Sequence, residues 1–242
     1  MSTAVAKQTN LPSSSLERLS TWSFHNLIEI DMAWVDDVKC IIPSNELLQL
    51  QKLERMTVYN CRNVEEVFEV EAMEGTNSEE SQTLVQIPNL TQMELKGLDR
   101  LKYIWKSSHH ERTVLLEFPN LTTLFIVGCK SLEHVFTSSM VGSLQQLQDL
   151  HILLCSNMEV IVKEEEEREC DAKVKQTVMF PCLKSLKLER LFSLKAFWSG
   201  NDDFPFPSLH TLEITQCPKL TVFTKGGISI LELKDGMLFG KN

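Results

Sequence analysis

No run of 18 or more apolar residues occurs in the 242-residue sequence, so no membrane-spanning helix is expected. The N-terminal stretch MSTAVAKQTNLPSSS has no apolar h-region, which argues against a secretory leader and for cytoplasmic residence. Positive charge is scarce: 24 Lys and Arg stand against 33 Asp and Glu, a net charge of -9. A nucleic-acid scaffold needs a basic face, so that class is disfavoured. G-x-x-x-x-G-K-[ST], G-x-G-x-x-G and G-x-S-x-G are all missing, which leaves nucleotide cradles and a nucleophile elbow without support. The seven cysteines include no C-x-x-C pair and no Cys/His cluster at zinc spacing. Without a secretory context they do not read as a disulfide framework either. No cofactor and no metal is expected.

What is present is a recurring, irregular pattern of apolar residues. Residues 118–136, FPNLTTLFIVGCKSLEHVF, place apolar side chains at Phe118, Leu121, Leu124, Ile126, Cys129, Leu132, Val135 and Phe136. One step of two sits among steps of three, which suits neither an amphipathic helix nor an alternating strand. It suits a very short strand flanked by turns that point inward. The same template fits stretches starting near 24, 50, 87, 144, 180 and 206. Seven units with spacings of 26 to 37 residues average about 30, near the upper end for leucine-rich repeats. A single unit cannot bury its own apolar face, so the units must stack as a solenoid. The expected fold is therefore an α/β leucine-rich repeat horseshoe, with a parallel β-sheet on the concave face and an irregular or short-helical convex side.

The first residue of each unit is position 1. Position 12 carries Cys61, Cys129, Cys155 and Cys217 in four units and Val35, Leu98 and Leu191 in the others. A site that accepts Cys, Val or Leu asks for a buried hydrophobe, so these thiols read as core. Cys170, within EEEERECDAK, is the thiol expected to be exposed. Pro88, Pro119, Pro181 and Pro207 stand at position 2, ahead of the strand, where a missing N–H costs little. The longer spacings come from EVEAMEGTNSEESQTLVQ, KSSHHERTVLLE and KEEEERECDAKVKQTVM, read as loops on the outer side. SSMVGSLQQLQDL has room there for one or two helical turns. Residues 1–15 read as a disordered tail, 16–224 as the repeat domain, and 225–242 as a tail or a terminal edge strand. No convincing cap is visible at either end, which suggests a truncated array.

Chemistry is hard to assemble from these residues. The sharpest catalytic combination is His151 with Asp149 and Ser185 on neighbouring strands, but nothing supplies an oxyanion hole. Ordinary polar cover is the better reading, and no catalytic residue is assigned. His109 and His110 alone make a weak metal site. Asn89-Leu90-Thr91 and Asn120-Leu121-Thr122 match the glycosylation sequon only because Asn precedes the first inner Leu of the repeat. The concave sheet is the place to look for binding. Its central outward row runs Asp31, Thr57, Glu94, Phe125, His151, Lys187, Glu213, and the next runs Ala33, Tyr59, Lys96, Val127, Leu153, Glu189, Thr215. Phe125, Val127, Leu153 and Leu154 break a mostly polar pattern, flanked by His151 and Lys187. An apolar patch with a polar rim is the form a protein contact takes, the alternative being cover by a neighbouring segment or another domain, and Tyr59, in the row of Val127 and Leu153, is counted with the site.

FPNLTTLFIVGCKSLEHVF, FPCLKSLKLERLFSLKAFW and FPSLHTLEITQCPKLTVF closely resemble the leucine-rich repeat region of plant nucleotide-binding leucine-rich-repeat disease-resistance proteins, of the coiled-coil class. The resemblance covers roughly residues 16–224. It implies a region that senses pathogen effectors, directly or through a guarded host protein, and holds a nucleotide-binding domain inactive. The sequence shows no coiled-coil or nucleotide-binding domain and no phosphate-binding Lys, so neither ATP binding nor signalling output is carried over. The expected role is a non-enzymatic protein-recognition solenoid, its partner an effector, a guarded protein or the receptor's own nucleotide-binding domain. A substrate adaptor of a ubiquitin ligase is the alternative, weakened because no F-box-like helical segment precedes the repeats.

Overall fold

Where each unit reads L-x-L or its equivalent, the chain forms a strand of five residues. The computed structural model describes residues 24–70, 83–105, 114–164, 180–200 and 206–221. In chain order the strands are β1 (Glu29–Ala33), β2 (Cys40–Ile42), β3 (Arg55–Tyr59), β4 (Glu66–Phe68) and β5 (Thr83–Gln86). Then come β6 (Gln92–Lys96), β7 (Tyr103–Trp105), β8 (Val114–Glu117), β9 (Thr123–Val127) and β10 (Phe136–Thr137). The last are β11 (Asp149–Leu153), β12 (Val160–Lys163), β13 (Ser185–Glu189), β14 (Ala196–Trp198) and β15 (Thr211–Thr215). Strands β1, β3, β6, β9, β11, β13 and β15 pair in that order as one parallel sheet. Like positions face like positions at every step, as in Phe125↔His151↔Lys187. The expected leucine-rich repeat solenoid is the observed architecture.

The outer half is more regular than expected. Strands β2, β4 and β7 form a second parallel sheet, and β10, β12 and β14 a third. Their signal was the doublet of adjacent buried residues at positions 18 and 19, such as Val67-Phe68 and Ile104-Trp105. The first two insertions are not wholly loops, because their ends pair as β5 and β8. Among the described residues helix is confined to the single turn α1 (Ser138–Val141), within SSMVGSLQQLQDL, and to 3-10 turns at Phe24–Asn26 and Ser44–Gln49. Residues 1–23 and 222–242 lie outside the described residues, as do Cys170, His109 and His110.

Units two to six bury every template residue, with exposures between 0% and 5%. Each such side chain contributes about 1.5–3 kcal/mol by leaving water. The end units are looser: Leu27, Met32, Phe206 and Leu212 are only partly buried. Aromatic rings step through the core from repeat to repeat. Phe118 lies 5.2 Å from Phe68 and 4.9 Å from Trp105, and Phe180 lies 5.5 Å from Phe136. The position-12 cysteines are core residues, as their pattern implied, and their thiols also serve as weak donors. Cys129 reaches the Leu95 carbonyl at 3.8 Å, and Cys217 reaches that of Leu188 at 3.7 Å. A hydrogen bond with Cys155, together with burial, pushes the Cys129 thiol up.

The turn after each sheet strand obeys a rule invisible in the leucine pattern. Position 11 is left-handed in all seven units: Trp34, Asn60, Gly97, Gly128, Leu154, Arg190 and Gln216, with φ between 54° and 68°. Its N–H donates to the position-10 carbonyl of the next repeat, from Trp34 to Tyr59 through Arg190 to Thr215, at 2.8–3.2 Å. The left-handed bend also turns position 12 back into the core. On the other side of the strand, the carbonyl at position 5 accepts two N–H groups from the next repeat, as Thr122 does from Gln148 and Asp149. Asn89 and Asn120, the sequon residues, donate their side-chain amides to the Gln51 and Pro88 carbonyls. The asparagines are inter-repeat fasteners.

Charged rows line one edge. Position 16 reads Lys39, Glu65, Lys102, Glu133, Glu159, Lys195, with ion pairs Lys102–Glu65 at 2.7 Å and Lys195–Glu159 at 2.8 Å. Position 13 opens Asp36, Arg62, Asp99, Lys130, where Lys130–Asp99 closes at 3.0 Å. Exposed pairs of this kind contribute little to stability.

Two glycines test the left-handed rule. A Cβ at Gly128 would meet nothing nearer than 3.8 Å, whereas one at Gly97 would lie 2.4 Å from the Asn60 side-chain oxygen. In urea unfolding, Gly128→Ala should lose about 1–2 kcal/mol from backbone strain alone. Gly97→Ala should lose more, and the excess should vanish in the Asn60→Gly background. Equal losses in the parent background would show that Asn60 does not crowd that turn.

Candidate functional site on the concave face

The registered strands lay positions 6, 8 and 10 side by side as three outward rows. Toward the ends of the sheet the charges neutralise one another. Arg55 pairs with Glu29 at 3.0 Å, Lys96 pairs with Glu94, Lys187 with Glu213 at 3.1 Å, and Arg190 with Glu189 at 3.5 Å. Between these pairs, β9 and β11 present Phe125, Val127, His151 and Leu153, all half-buried. Phe125 meets the His151 ring edge-on at a centroid distance of 4.3 Å. Leu154 follows Leu153 at the left-handed position and stands 42% exposed. Phe125 is in ring contact with His151, and Val127 lies beside Leu153 in register, with Leu154 next in the chain.

Two other candidates sit differently. Tyr59 lies in the same row as Val127 but on β3, with Lys96 between them, so the aromatic is two strands from the patch. At about 4.8 Å per strand, that is roughly 10 Å away. Lys187 borders His151 in register, but its charge is engaged by Glu213. What sequence reasoning missed was Leu154's backbone geometry. The available signal was Gly97 and Gly128 at the same repeat position.

His151 Nε2 and Ser185 Oγ lie 3.3 Å apart, so the first contact of the catalytic combination is present. The rest is not. Asp149 makes no hydrogen bond to His151 and faces Ser185 in the sheet register, instead of sitting behind the imidazole. The Ser185 N–H is committed to the Gln148 carbonyl at 2.9 Å, so no backbone donor there is free for an oxyanion. A nucleophile needs base, orienter and oxyanion donors together. His151 and Ser185 instead form a surface hydrogen bond on a strand face. Burial, then the Lys187 ammonium, pull the His151 pKa below its ordinary 6.5, against the weaker opposing pull of Asp149 and Glu213. The ring is uncharged at neutral pH.

Among the described residues no group of three or more His, Cys, Asp or Glu side chains could hold a metal ion, and no helix is long and apolar enough to cross a membrane. The family model for plant disease resistance protein RPS2-like leucine-rich repeats matches residues 7–156 and again 144–225. The chain belongs to that family. A search of curated proteins and a search of solved structures each found no match. Leucine-rich repeat domains are typically non-catalytic protein-interaction modules, and membership makes this RPS2-like array a defence-related repeat domain.

A group whose folded pKa is lowered binds its proton more weakly than in the unfolded chain. His151 should therefore leave stability intact above pH 6.5 and withdraw it as pH falls from 6.5 through the lower folded value. His151→Gln should remove part of the stability loss between pH 7.5 and pH 5, read by urea unfolding. An unchanged pH profile would mean that the imidazole is not held neutral by the fold.

Proposed function

We propose that this RPS2-like array is the recognition surface of an intracellular plant immune receptor, acting in the cytoplasm without enzymatic activity. Its partner is a protein: a pathogen effector, a guarded host protein, or the receptor's own nucleotide-binding domain. Family membership supports the defence role. One observation supports the site, an apolar centre at Phe125, Val127, Leu153 and Leu154 between charges that already satisfy each other. Apart from Asp149, the rim charges are paired, while the centre offers apolar area to bury. Such a centre inside a polar border is where binding energy concentrates. The family match favours this reading over a ubiquitin-ligase adaptor.

Phe125→Glu and Leu153→Lys test the site, because both side chains point away from the core. Partners captured by the parent array in a two-hybrid screen of plant and pathogen proteins should be lost by either variant. Purified binding should weaken by roughly 30-fold or more, corresponding to about 2 kcal/mol. Urea unfolding should stay within about 0.5 kcal/mol of the parent. Unchanged affinity in both variants would remove the patch from consideration.

A further inference from the structure

Along β9 and β11 the outward residues grade from polar to apolar, while β13 stays polar through Ser185, Lys187 and Glu189. Position 6 offers Thr123, Asp149 and Ser185, side by side in register. Position 8 follows with Phe125 and His151, and positions 10 and 11 finish with Val127, Leu153 and Leu154. In these three repeats every other outward charge from position 6 to 11 is paired: Lys187 with Glu213, Glu189 with Arg190. The Asp149 carboxylate has neither an ion pair nor a hydrogen bond among the described residues, and it is half-buried. Solvent hydrates it, and within the fold it acts electrostatically on His151. A partner covering Phe125, one row away, would strip that water, and a desolvated carboxylate without a cation is strongly unfavourable. His151 does not neutralise it, being uncharged at neutral pH. At the other end, Leu154 keeps a bulky apolar group at a backbone position where the adjacent repeat has Gly128.

We propose that the site takes an extended segment of a partner protein bearing a Lys or Arg side chain against Asp149 and apolar side chains on Phe125, Val127, Leu153 and Leu154, with Leu153 about 13 Å from Asp149 along the strand. The distance is four residues of extended chain, from Asp149 to Leu153, so a segment lying along β11 would present its cation and its apolar anchor roughly four residues apart. This rests on the reading of the face as a protein-contact site and specifies what that site selects. The carboxylate supplies the selection, because an apolar segment with Glu or with no charge there leaves Asp149 stranded.

Synthetic fluorescein-labelled peptides of about nine residues, with Lys placed roughly four residues from a Leu-Phe pair, are suitable probes, alongside versions with Gln or Glu in place of Lys. Anisotropy titrations should show the Lys peptide binding about tenfold or more tighter than the Glu peptide. Asp149→Asn should abolish the advantage of Lys over Gln, and Asp149→Lys should reverse the preference toward Glu. Neither variant removes a hydrogen bond of the fold, and unchanged thermal melting confirms that. A Lys preference untouched by Asp149→Lys overturns the proposal, as does failure of every peptide to bind at about 1 mM. If Phe125→Glu still abolishes peptide binding while the Asp149 variants change nothing, the contact site survives and only the cation is refuted. If Phe125→Glu has no effect either, both fall. Sedimentation showing a dimer that Phe125→Glu dissolves would make a second copy the occupant and refute the cationic segment.

Discussion

One hydrogen bond, repeated from unit to unit, holds the array in register: the left-handed residue after each sheet strand donates its N–H to the last strand residue of the next repeat. A slip of one residue would turn every inward leucine outward, because side chains alternate along a strand. The left-handed bend prevents this by returning the chain to the core at a fixed point, whatever the insertion that follows. That is why units separated by 26 and by 37 residues still align position for position. The leucine core stabilises the stack, but it is this turn that makes same-numbered positions neighbours.

Register in turn creates the surface. Leu153 lies far along the chain from Phe125 and Val127, and the three become contiguous only because β9 and β11 pair without stagger. The same stacking puts most charges where they cancel, so the centre stands out against a border whose one unpaired charge near it, among the described residues, is Asp149. Leu154 shows a tension between folding and surface chemistry. A glycine would relieve about 1–2 kcal/mol of backbone strain there, offset by the entropy that glycine loses on folding. The residue present gives up that relief and leaves an apolar group beside Leu153.

Much of the architecture was legible because burial makes the same demand in every unit. Cys129 and Leu98 look unrelated until their shared position shows that both fill one core site. Outer strands such as β4 and β7 were harder, since Val67-Phe68 and Ile104-Trp105 are doublets too short to declare a period. The left-handed rule was masked by residue types as different as Trp34, Asn60 and Arg190, which share a backbone conformation and no chemistry. In the site, Tyr59 was grouped with the patch because a row was visible, whereas lateral distance required the strand order. The self-pairing of Glu94 with Lys96 and of Glu189 with Arg190 depends on side-chain reach, which a list of positions does not convey.

The charged rows along the edge bear on how such an array can change length. Positions 13 and 16 alternate in sign through the first four repeats, from Asp36 and Lys39 to Lys130 and Glu133. Excising the second repeat would bring Lys39 beside Lys102 and Asp36 beside Asp99. Excising the second and third together would set Lys39 beside Glu133 and Asp36 beside Lys130, opposite signs again. Each contact is weak, yet both rows favour the same rule, so this stretch is composed in couplets. Unequal recombination within it meets less electrostatic resistance when it adds or removes repeats two at a time.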